Sequence, residues 1–319
     1  MNTKIASLSL TAALALSACI PQNPATATLA TPSVAEPTIP APTSQPTEPA
    51  PQSTAAQPAQ RIVSLAPSNT EILFAIGAGP QLVGRDTFSD FPLEAADVPE
   101  VGGDLMALNV ELIVSAKPDL VLASPLTAPE QVAELENFGL RVEVVPNPAT
   151  FDELYANVRA VAALAGRETE GEDLVARLES RVQAIAAQVA NATERPLVYY
   201  ELDATDPNAP YTSGPGTFVD LLIKSAGGVN FGAELNAEWA QVSVEALLAR
   251  QPDVIVLGDY TYGGVTPEQI RARAGWDALT AVQQNRVFTF DDNLVSRPGP
   301  RLVDGLEAMA KLLHPDLVW

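Results

Sequence analysis

Several loops of this chain carry large aromatic or cationic side chains among small polar residues. Trp239, Phe88 and Phe91 stand in such settings. Because a large ring is costly to leave in water, each ring either covers the protein core or faces a ligand. Residues 291–300 contain one fixed cation, Arg297, beside several acceptor groups. These residue types indicate noncovalent ligand binding. The rings could equally be explained as side chains that cover the protein core.

Covalent catalysis and metal chemistry find little support in the sequence. No GxSxG or Walker motif is present, and Cys19 and His314 are the only cysteine and the only histidine. No second cysteine or histidine is available to build a nucleophile–base pair, and a His-rich metal site is excluded. The chain has 39 acidic residues, so their number alone does not exclude a hydrolase that uses two carboxylates. No pair of acidic residues stands out as catalytic, however. We expect no metal or cofactor, and we expect His314 to be exposed at a helix end.

The candidate loops follow segments that have the pattern of buried strands. Arg61–Leu65 is such a segment, and it leads into a helix that should end near Ile76 and be capped by Ser68 and Glu71. This turn lies at the carboxyl end of a strand, where open α/β sheets bind ligands, although a turn alone does not establish a site. Alternating strands and helices predict parallel sheets. Further strands are predicted at 82–84, 119–123, 141–145, 197–201 and 286–290, with helices at 109–116, 129–138, 150–166 and 217–225.

A long amphipathic helix is predicted over Glu168–Ala192. Its larger apolar residues recur every three or four positions, which keeps them on one helical face. No Pro or Gly interrupts residues 172–190. The helix either packs on one domain or joins two lobes. The apolar stripe consists of Leu174, Leu178, Val182, Ile185 and Val189.

An internal repeat favours two lobes. Residues 108–123 align without a gap with residues 242–257, and each copy has the pattern of a short helix, a Pro-Asp turn and a buried strand. The long helix lies between the copies, so two similar lobes follow unless the match is a chance one between generic αβ units. The predicted fold is α/β, with two similar lobes of mainly parallel sheet joined by one long rigid α-helix. The predicted boundaries are 61–166 for the N-terminal lobe, 167–192 for the linking helix and 193–319 for the C-terminal lobe.

The repeat places Glu111 and Glu245 at equivalent positions, near the N-termini of their helices. Acids are favoured there by the helix dipole, which is one explanation for both. If both are exposed, they could also meet basic sockets on a partner that contacts the two lobes at once.

The N-terminus predicts export and a lipid anchor. Lys4 precedes the apolar run Ile5–Leu16, which is too short to span a bilayer. Leu16-Ser17-Ala18-Cys19 then resembles the bacterial lipobox, in which the thiol accepts a diacylglyceryl group. We predict that residues 1–18 are a signal peptide and that Cys19 is lipidated, with a second chain on the new N-terminus. An incidental Cys19, or secretion without lipid, is the alternative.

Residues 19–60 should form a tether. Ile20–Gln60 is built from Pro, Ala, Thr, Ser and Gln and contains no aromatic residue, so it cannot bury enough apolar surface to order itself. The net charge of −21 argues against nucleic acid and against electrostatic adhesion to anionic lipid. Membrane contact should therefore be made through the lipid anchor only. No heptad seam is present, so we expect a monomer.

Taken together, these segments resemble a known family. The chain from about Arg61 onward is similar to the helical-backbone substrate-binding proteins of bacterial ABC importers for cobalamin, ferric siderophores and haem, and the cobalamin binders are the most similar. The segments that carry the resemblance are Ile62–Glu71, Ser89–Pro92, Leu108–Ala123, Tyr211–Gly214, Trp239–Ser243 and Arg297–Arg301.

The resemblance implies a small-molecule ligand, cobalamin or a related corrinoid, held between the lobes and delivered to the permease of an ABC transporter. It implies an extracytoplasmic protein, in the periplasm or on the outer surface, and a permease that Glu111 and Glu245 contact. A ferric siderophore or haem is the alternative ligand, and a surface receptor without transport is a further alternative. The expected ligand-binding residues are Pro67, Ser68, Phe88, Tyr211, Trp239, Asn293 and Arg297.

Three positions depart from the cobalamin binders. Those proteins can carry tryptophans where this chain has Leu105 and Ser124, and an aspartate where it has Asn293. The absence of two aromatic side chains and one charge affects which ligand we expect, but it does not affect the resemblance to the family.

Overall fold

The N-terminal lobe is built on a parallel four-stranded sheet. The computed structural model describes residues 57–104 and 107–319, so the predictions for residues 1–56, including Cys19, and for Leu105 lie outside the described residues. The strands are β1 (Ile62–Ser64), β2 (Leu82–Arg85), β3 (Gly102–Asp104), β4 (Ala107–Leu108), β5 (Leu120–Ala123) and β6 (Val142–Val144). The sheet order is β2-β1-β5-β6, and β3 and β4 form a separate antiparallel pair.

Within the described residues, four α-helices belong to this lobe, and a fifth follows it. Because each parallel strand is followed by a helix that returns the chain, the carboxyl ends of the strands share one edge. The helices of this lobe and the one that follows it are α1 (Pro67–Ala75), α2 (Val110–Ser115), α3 (Pro129–Asn137), α4 (Phe151–Ala165) and α5 (Glu168–Val189).

The C-terminal lobe repeats the arrangement. Its parallel sheet has the order β12-β11-β7-β9, while β8 and β10 pair antiparallel beside it. The strands are β7 (Leu197–Glu201), β8 (Tyr211–Ser213), β9 (Val229–Asn230), β10 (Trp239–Gln241), β11 (Val254–Leu257) and β12 (Val287–Thr289). The helices are α6 (Phe218–Ser225), α7 (Val244–Arg250), α8 (Tyr260–Gly263), α9 (Pro267–Ala272), α10 (Thr280–Gln283) and α11 (Leu302–Leu313).

Helix α5 is the predicted long helix, and it joins the lobes. Its 22 residues span about 33 Å at roughly 1.5 Å per residue. It ends at Val189, three residues before the predicted end, and Ala190 and Asn191 continue as a turn. The apolar stripe faces a core that both lobes share, packed against α4 and α11. Bending α5 would break its backbone hydrogen bonds, so the helix limits hinge motion.

The repeat predicted from the sequence is present in three dimensions. Lys117 and Gln251, which occupy equivalent positions, adopt left-handed backbone conformations with φ of 48° and 49°. The aspartate two residues later accepts a hydrogen bond from a backbone amide at, or directly before, the start of the neighbouring parallel strand. Asp119 Oδ1 accepts from the Arg61 amide at 3.0 Å, and Asp253 Oδ2 accepts from the Leu197 amide at 2.7 Å.

Two local predictions are wrong. Helix α1 begins at Pro67, and the residue before it, Ala66, is extended, so Ser68 does not cap the helix. The other predicted cap residue, Glu71, is buried and pairs with Arg301 instead. His314 is also buried rather than exposed, because its Nε2 lies 2.9 Å from the Ala226 carbonyl oxygen.

Three apolar clusters hold the described residues together. The largest unites α1, α4, α5, α6 and α11 across both lobes, and each lobe adds one cluster of its own on the other side of its sheet. Among residues 57–104 and 107–319, no helix combines the length and apolar character needed to cross a membrane.

Candidate ligand-binding cleft

A cavity lies between the two lobes. It holds about 150 Å³ of solvent-accessible space, and a second cavity of about 60 Å³ adjoins it on the N-terminal side. The two cavities share Ala66, Pro67, Ser124 and Leu126. The interlobe cavity is further lined by Ser68, Asn147, Phe218, Trp239, Ser296, Arg297 and Pro298, and the adjoining cavity by Leu65, Asp86, Phe88, Leu108, Thr127 and Gln131.

The topology explains why these residues meet. Pro67 follows β1, Phe88 follows β2, Ser124 follows β5 and Asn147 follows β6. Since the four strands are parallel, the residues that follow them come together at one edge of the sheet. In the C-terminal lobe, Arg297 follows β12 in the same way.

A buried hydrogen-bond network positions Phe88. Asp86 Oδ1 accepts from the Phe88 amide at 2.8 Å, and Asp86 Oδ2 accepts from the Ser89 hydroxyl. Ser89 in turn lies 2.8 Å from the Thr70 hydroxyl, which donates to Ser64 Oγ, also at 2.8 Å. Burial raises the pKa of Asp86, and the hydrogen bonds from Ser89 and Phe88 partly offset that rise. The network fixes the turn that presents the Phe88 ring, which is about half exposed.

Trp239 forms the facing wall on the C-terminal lobe. It lies in β10, whose residues pair with those of β8, so that Trp239 is opposite Ser213. Its ring centroid is 5.4 Å from that of Phe218, with the two planes tilted by 50°. Because Phe218 is buried and starts α6, it supports the indole from behind. Trp239 therefore keeps part of its surface for the cleft.

Arg297 reaches across the cleft to the other lobe. Its turn is held by Asp292, whose carbonyl accepts from the Ser296 amide at 2.7 Å, and by the Tyr200 hydroxyl, which donates to Asp292 Oδ1 at 2.6 Å. The guanidinium of Arg297 donates from Nη1 to Asp90 Oδ1, and its Nη2 lies 3.4 Å from Asp90 Oδ2. Partial burial would raise the pKa of Asp90, but the hydrogen bond and positive charge of Arg297 lower it below its usual value.

A second ion pair joins the lobes beneath the cleft. Arg301 Nε donates to Glu71 Oε2 at 3.0 Å, and Arg301 Nη2 donates to Glu71 Oε1 at 2.5 Å. The Arg301 guanidinium also lies 3.9 Å from the centroid of the Phe91 ring, which is a cation–π contact. Burial raises the pKa of Glu71, while the hydrogen bond and charge of Arg301 lower it in part. Phe91 is thus a support for Arg301, and it is Phe88 that faces the cavity.

The structure brings together five of the seven predicted ligand-binding residues. Pro67, Ser68, Trp239 and Arg297 line the interlobe cavity, and Phe88 lines the adjoining one together with Pro67. Tyr211 and Asn293 are outside both linings, although each belongs to a segment that borders them. Tyr211 is in β8, and the Asn293 side chain donates to Asp291 Oδ1 at 2.9 Å.

The prediction missed several lining residues. Ser124, Leu126, Asn147 and Phe218 belong to the interlobe cavity. Ser124 and Asn147 could have been found, because they closely follow predicted strands 119–123 and 141–145. Phe218 starts a helix on the opposite lobe, and no local pattern distinguishes it from a core residue.

The lining suits noncovalent binding. Aromatic and aliphatic side chains form the walls, and hydroxyl and amide groups of Ser68, Ser124, Asn147 and Gln131 supply directional contacts. Within the described part of the chain, no group of three or more His, Cys, Asp or Glu residues is placed to hold a metal ion.

Glu111 and Glu245 occupy matching surface positions. Each is exposed and is the second residue of its helix, α2 or α7. Hydrogen bonds from its own backbone amide and from Ser243 lower the pKa of Glu245, so this carboxylate is ionised at neutral pH.

Comparison with known proteins decides the family. Residues 62–294 match the family model described as periplasmic binding protein. The chain is 35% identical over 260 residues to YvrC of Bacillus subtilis, named an uncharacterised ABC transporter substrate-binding lipoprotein, with 80% of each chain covered. The chain belongs to the periplasmic binding protein family. It is therefore of the class of extracytoplasmic, non-enzymatic proteins that bind substrates for ABC importers.

Two further similarities bear on what such a binding protein holds. The chain is 31% identical over 254 residues to a vitamin B12-binding protein of Vibrio cholerae, covering 79% of this chain and 88% of the other. The structure is also similar to that of the apo periplasmic haem-binding protein RhuT of Roseiflexus sp. RS-1, with a TM-score of 0.72 and 29% identity. That similarity covers 81% of this chain and 98% of the other. Family members thus include proteins named for a corrinoid and for haem.

Proposed function

We propose that this binding protein captures cobalamin, or a related corrinoid, between its lobes and delivers it as a monomer to the permease of an ABC importer. The observation that carries the proposal is the interlobe cleft, which has Trp239 and Phe88 on opposite lobes and a lining whose polar groups, apart from Arg297 and Asp86, are neutral. Flat macrocycles favour such aromatic walls, and hydroxyl and amide groups can bind the amide side chains of a corrin ring. The similarity to a vitamin B12-binding protein supports the same choice.

The size of the cleft determines how such a ligand would sit. Both cavities are smaller than the roughly 300–1,000 Å³ of a typical ligand pocket. A macrocycle would therefore rest at the mouth between the lobes, with its edge inserted beside Pro67 and Arg297. Because α5 resists bending, we expect little lobe closure on binding.

Calorimetry tests the ligand. The purified full-length protein in mild detergent should bind cyanocobalamin one to one. Trp239→Ala should weaken binding about 30-fold, equal to roughly 2 kcal/mol, because a central aromatic contact is lost.

Trp319→Ala is the matched control. Trp319 is exposed to nearly the same degree as Trp239, 38% against 36%, but it borders a different cavity, against Arg181 and Ile185 of α5. Its loss should leave cobalamin affinity within about twofold. Equal effects of the two variants would contradict the placement of the ligand at Trp239.

Haem or a ferric siderophore is the second candidate ligand. The similarity to a haem-binding protein favours it. A panel of haem and ferric siderophores belongs in the same calorimetric experiment. Heat of binding from one of these compounds, with none from cyanocobalamin, would identify the ligand as an iron chelate and overturn the corrinoid proposal.

We also propose that Glu111 and Glu245 contact basic residues of the permease. Both are exposed at equivalent positions of the two lobes, so a partner that spans the lobes could contact both. The double variant Glu111→Gln, Glu245→Gln should keep its ligand affinity but lower cobalamin uptake by cells at least about tenfold. Glu130→Gln is the control, because Glu130 is likewise exposed and is the second residue of α3. Uptake unchanged in the double variant would refute the docking role.

The lipid anchor at Cys19 remains a proposal. Relatives include a protein named as a lipoprotein. Cys19→Ser should move the protein from the membrane fraction and abolish incorporation of labelled palmitate. Labelling that persists in the variant would show that Cys19 is not the attachment site.

A further inference from the structure

Arg297 is the only cation among the described residues that line the interlobe cavity and the cavity adjoining it, and Asp86 is the only acid. The charge available to a ligand in the cleft therefore depends on how Arg297 is already paired. Its partner, Asp90, belongs to the opposite lobe, 207 positions away along the chain.

The two members of this ion pair differ in exposure. The Arg297 side chain is 14% exposed, whereas the Asp90 side chain is 68% exposed. Asp90 can leave the pair and be solvated at little cost, but Arg297 would then remain desolvated without a counter-charge. The pair is thus a nearly buried cation that is neutralised by a surface acid.

We propose that Asp90 sets the charge selectivity of the cleft, favouring ligands with neutral amide groups over ligands with carboxylates. An anionic group at Arg297 would either displace Asp90, which exchanges one carboxylate for another, or bind beside it, which leaves two like charges close together. A neutral amide has an easier route. A guanidinium has five N–H donors, so an amide oxygen can accept one of them while Asp90 stays in place.

The surrounding charges act in the same direction. Arg297 attracts Glu71, Asp86 and Asp292 as well as Asp90. The nearby cation Arg301 is committed to Glu71 by two hydrogen bonds. Acids therefore outnumber free positive charge around the cleft, and an added carboxylate would be repelled.

A matched pair of ligands tests the selectivity, and this test rests on the proposed corrinoid function. The ligands are cyanocobalamin and its monocarboxylate derivative, in which one side-chain amide of the corrin ring is hydrolysed. Wild-type full-length protein should bind the acid about tenfold more weakly than the amide. Asp90→Asn keeps the shape of the side chain but removes its charge. This variant should bind the monocarboxylate derivative about tenfold more tightly than the wild-type protein does, and its affinity for cyanocobalamin should stay within about twofold of wild type. The gain should shrink in high salt.

Asp97→Asn is the matched control, because Asp97 lies in the same loop region, is exposed and lines neither cavity. Asp97→Asn should leave the ratio of the two affinities, for cyanocobalamin and for its monocarboxylate derivative, unchanged. An Asp90→Asn protein that binds both ligands with the wild-type ratio, or that gains equally for both, would overturn the selectivity role while leaving the corrinoid function intact.

Failure of the proposed function would be distinguishable. If the wild-type protein binds haem but neither corrinoid, the corrinoid function fails, and the same ratio is measured with haem and its neutral dimethyl ester. Asp90→Asn should then tighten haem binding about tenfold without affecting the ester. No binding of any of the four ligands would overturn both proposals.

Discussion

Each lobe buries one glutamate against an arginine, but the two arginines come from different places. Glu201 of the C-terminal lobe receives two hydrogen bonds, of 2.6 and 2.9 Å, from Arg273 of the same lobe. Glu71 of the N-terminal lobe is paired with Arg301, which directly precedes α11 of the other lobe. The buried glutamate of the C-terminal lobe is thus neutralised within its own lobe, whereas neutralisation of the buried glutamate of the N-terminal lobe depends on contact between the lobes.

The pairs are built alike in other respects. Each arginine stacks on an aromatic ring, Arg273 on Trp276 at 4.7 Å and Arg301 on Phe91 at 3.9 Å. Such stacking suits the planar, weakly hydrated guanidinium. The difference in origin teaches that a buried ion pair can serve one lobe alone or, in the same topology, can make one lobe depend on contact with the other.

The largest expected effect comes from removing one of these arginines. Arg301→Ala leaves Glu71 buried without a counter-charge and should lower the free energy of unfolding by about 3–5 kcal/mol. Chemical denaturation measures the loss. Hydrogen exchange should speed up in α1 as well as in residues 297–301, whereas Arg273→Ala should speed it up in the C-terminal lobe alone.

Arg181→Ala is the control for that comparison. Arg181 also joins α5 to the C-terminal lobe, through Asp304 and Glu307, but all three side chains are more than a third exposed. The exposed network should be worth less than about 1 kcal/mol. A loss as large as that of Arg301→Ala would mean that burial does not decide the value of these pairs.

An intermediate effect is expected from Asp259. Both its carboxylate oxygens are buried without a hydrogen-bond donor among the described residues. Burial, together with the neighbouring Glu201 carboxylate, raises the pKa of Asp259 from 3.8 to about 8. The folded protein therefore binds a proton that the unfolded chain releases, so this contribution to stability is complete below about pH 4 and is lost as the pH rises toward 8.

Thermal or chemical denaturation between pH 5 and 8 measures this contribution. Asp259→Asn should flatten the fall in stability by about 1 kcal/mol per pH unit. Asp86→Asn in the N-terminal lobe should change the slope less, because donors from Ser89 and Phe88 counteract the raised pKa of Asp86. Equal slopes in wild type and Asp259→Asn would refute the prediction.

The smallest effect tests the repeat itself. Lys117 and Gln251 share the same left-handed backbone, which is strained for residues other than glycine. Lys117→Gly should stabilise the protein by up to about 1 kcal/mol, since the relieved strain exceeds the added entropy of the unfolded chain. Gln251→Gly should not, because the Gln251 side chain accepts from the Thr280 amide at 2.8 Å and donates to the Leu248 carbonyl at 2.9 Å. Equal stabilisation by both substitutions would show that the Gln251 side-chain contacts do not matter.

The sequence supported prediction best where the cause is local. The 3.6-residue period identified α5 and its apolar stripe, and the helices predicted at 109–116 and 150–166 begin where Asn109 and Thr150 accept from the third residue of the helix. The gap-free repeat predicted two lobes of one topology. Prediction failed at Ser68, because Pro67 can occupy the first helical position, so that α1 starts two residues earlier than a Ser68 cap would require.

The sequence by itself determined the long helix, most strands of the two parallel sheets and the edge at which the cleft-lining residues collect, because these follow from backbone geometry and hydrophobic periodicity. Only the tertiary structure decided which charges meet. Glu71 with Arg301 and Asp90 with Arg297 are pairs more than 200 positions apart along the chain. Any of the 18 cations could satisfy an acid as far as composition is concerned, and the choice depends on how the packed lobes desolvate one partner and align the other.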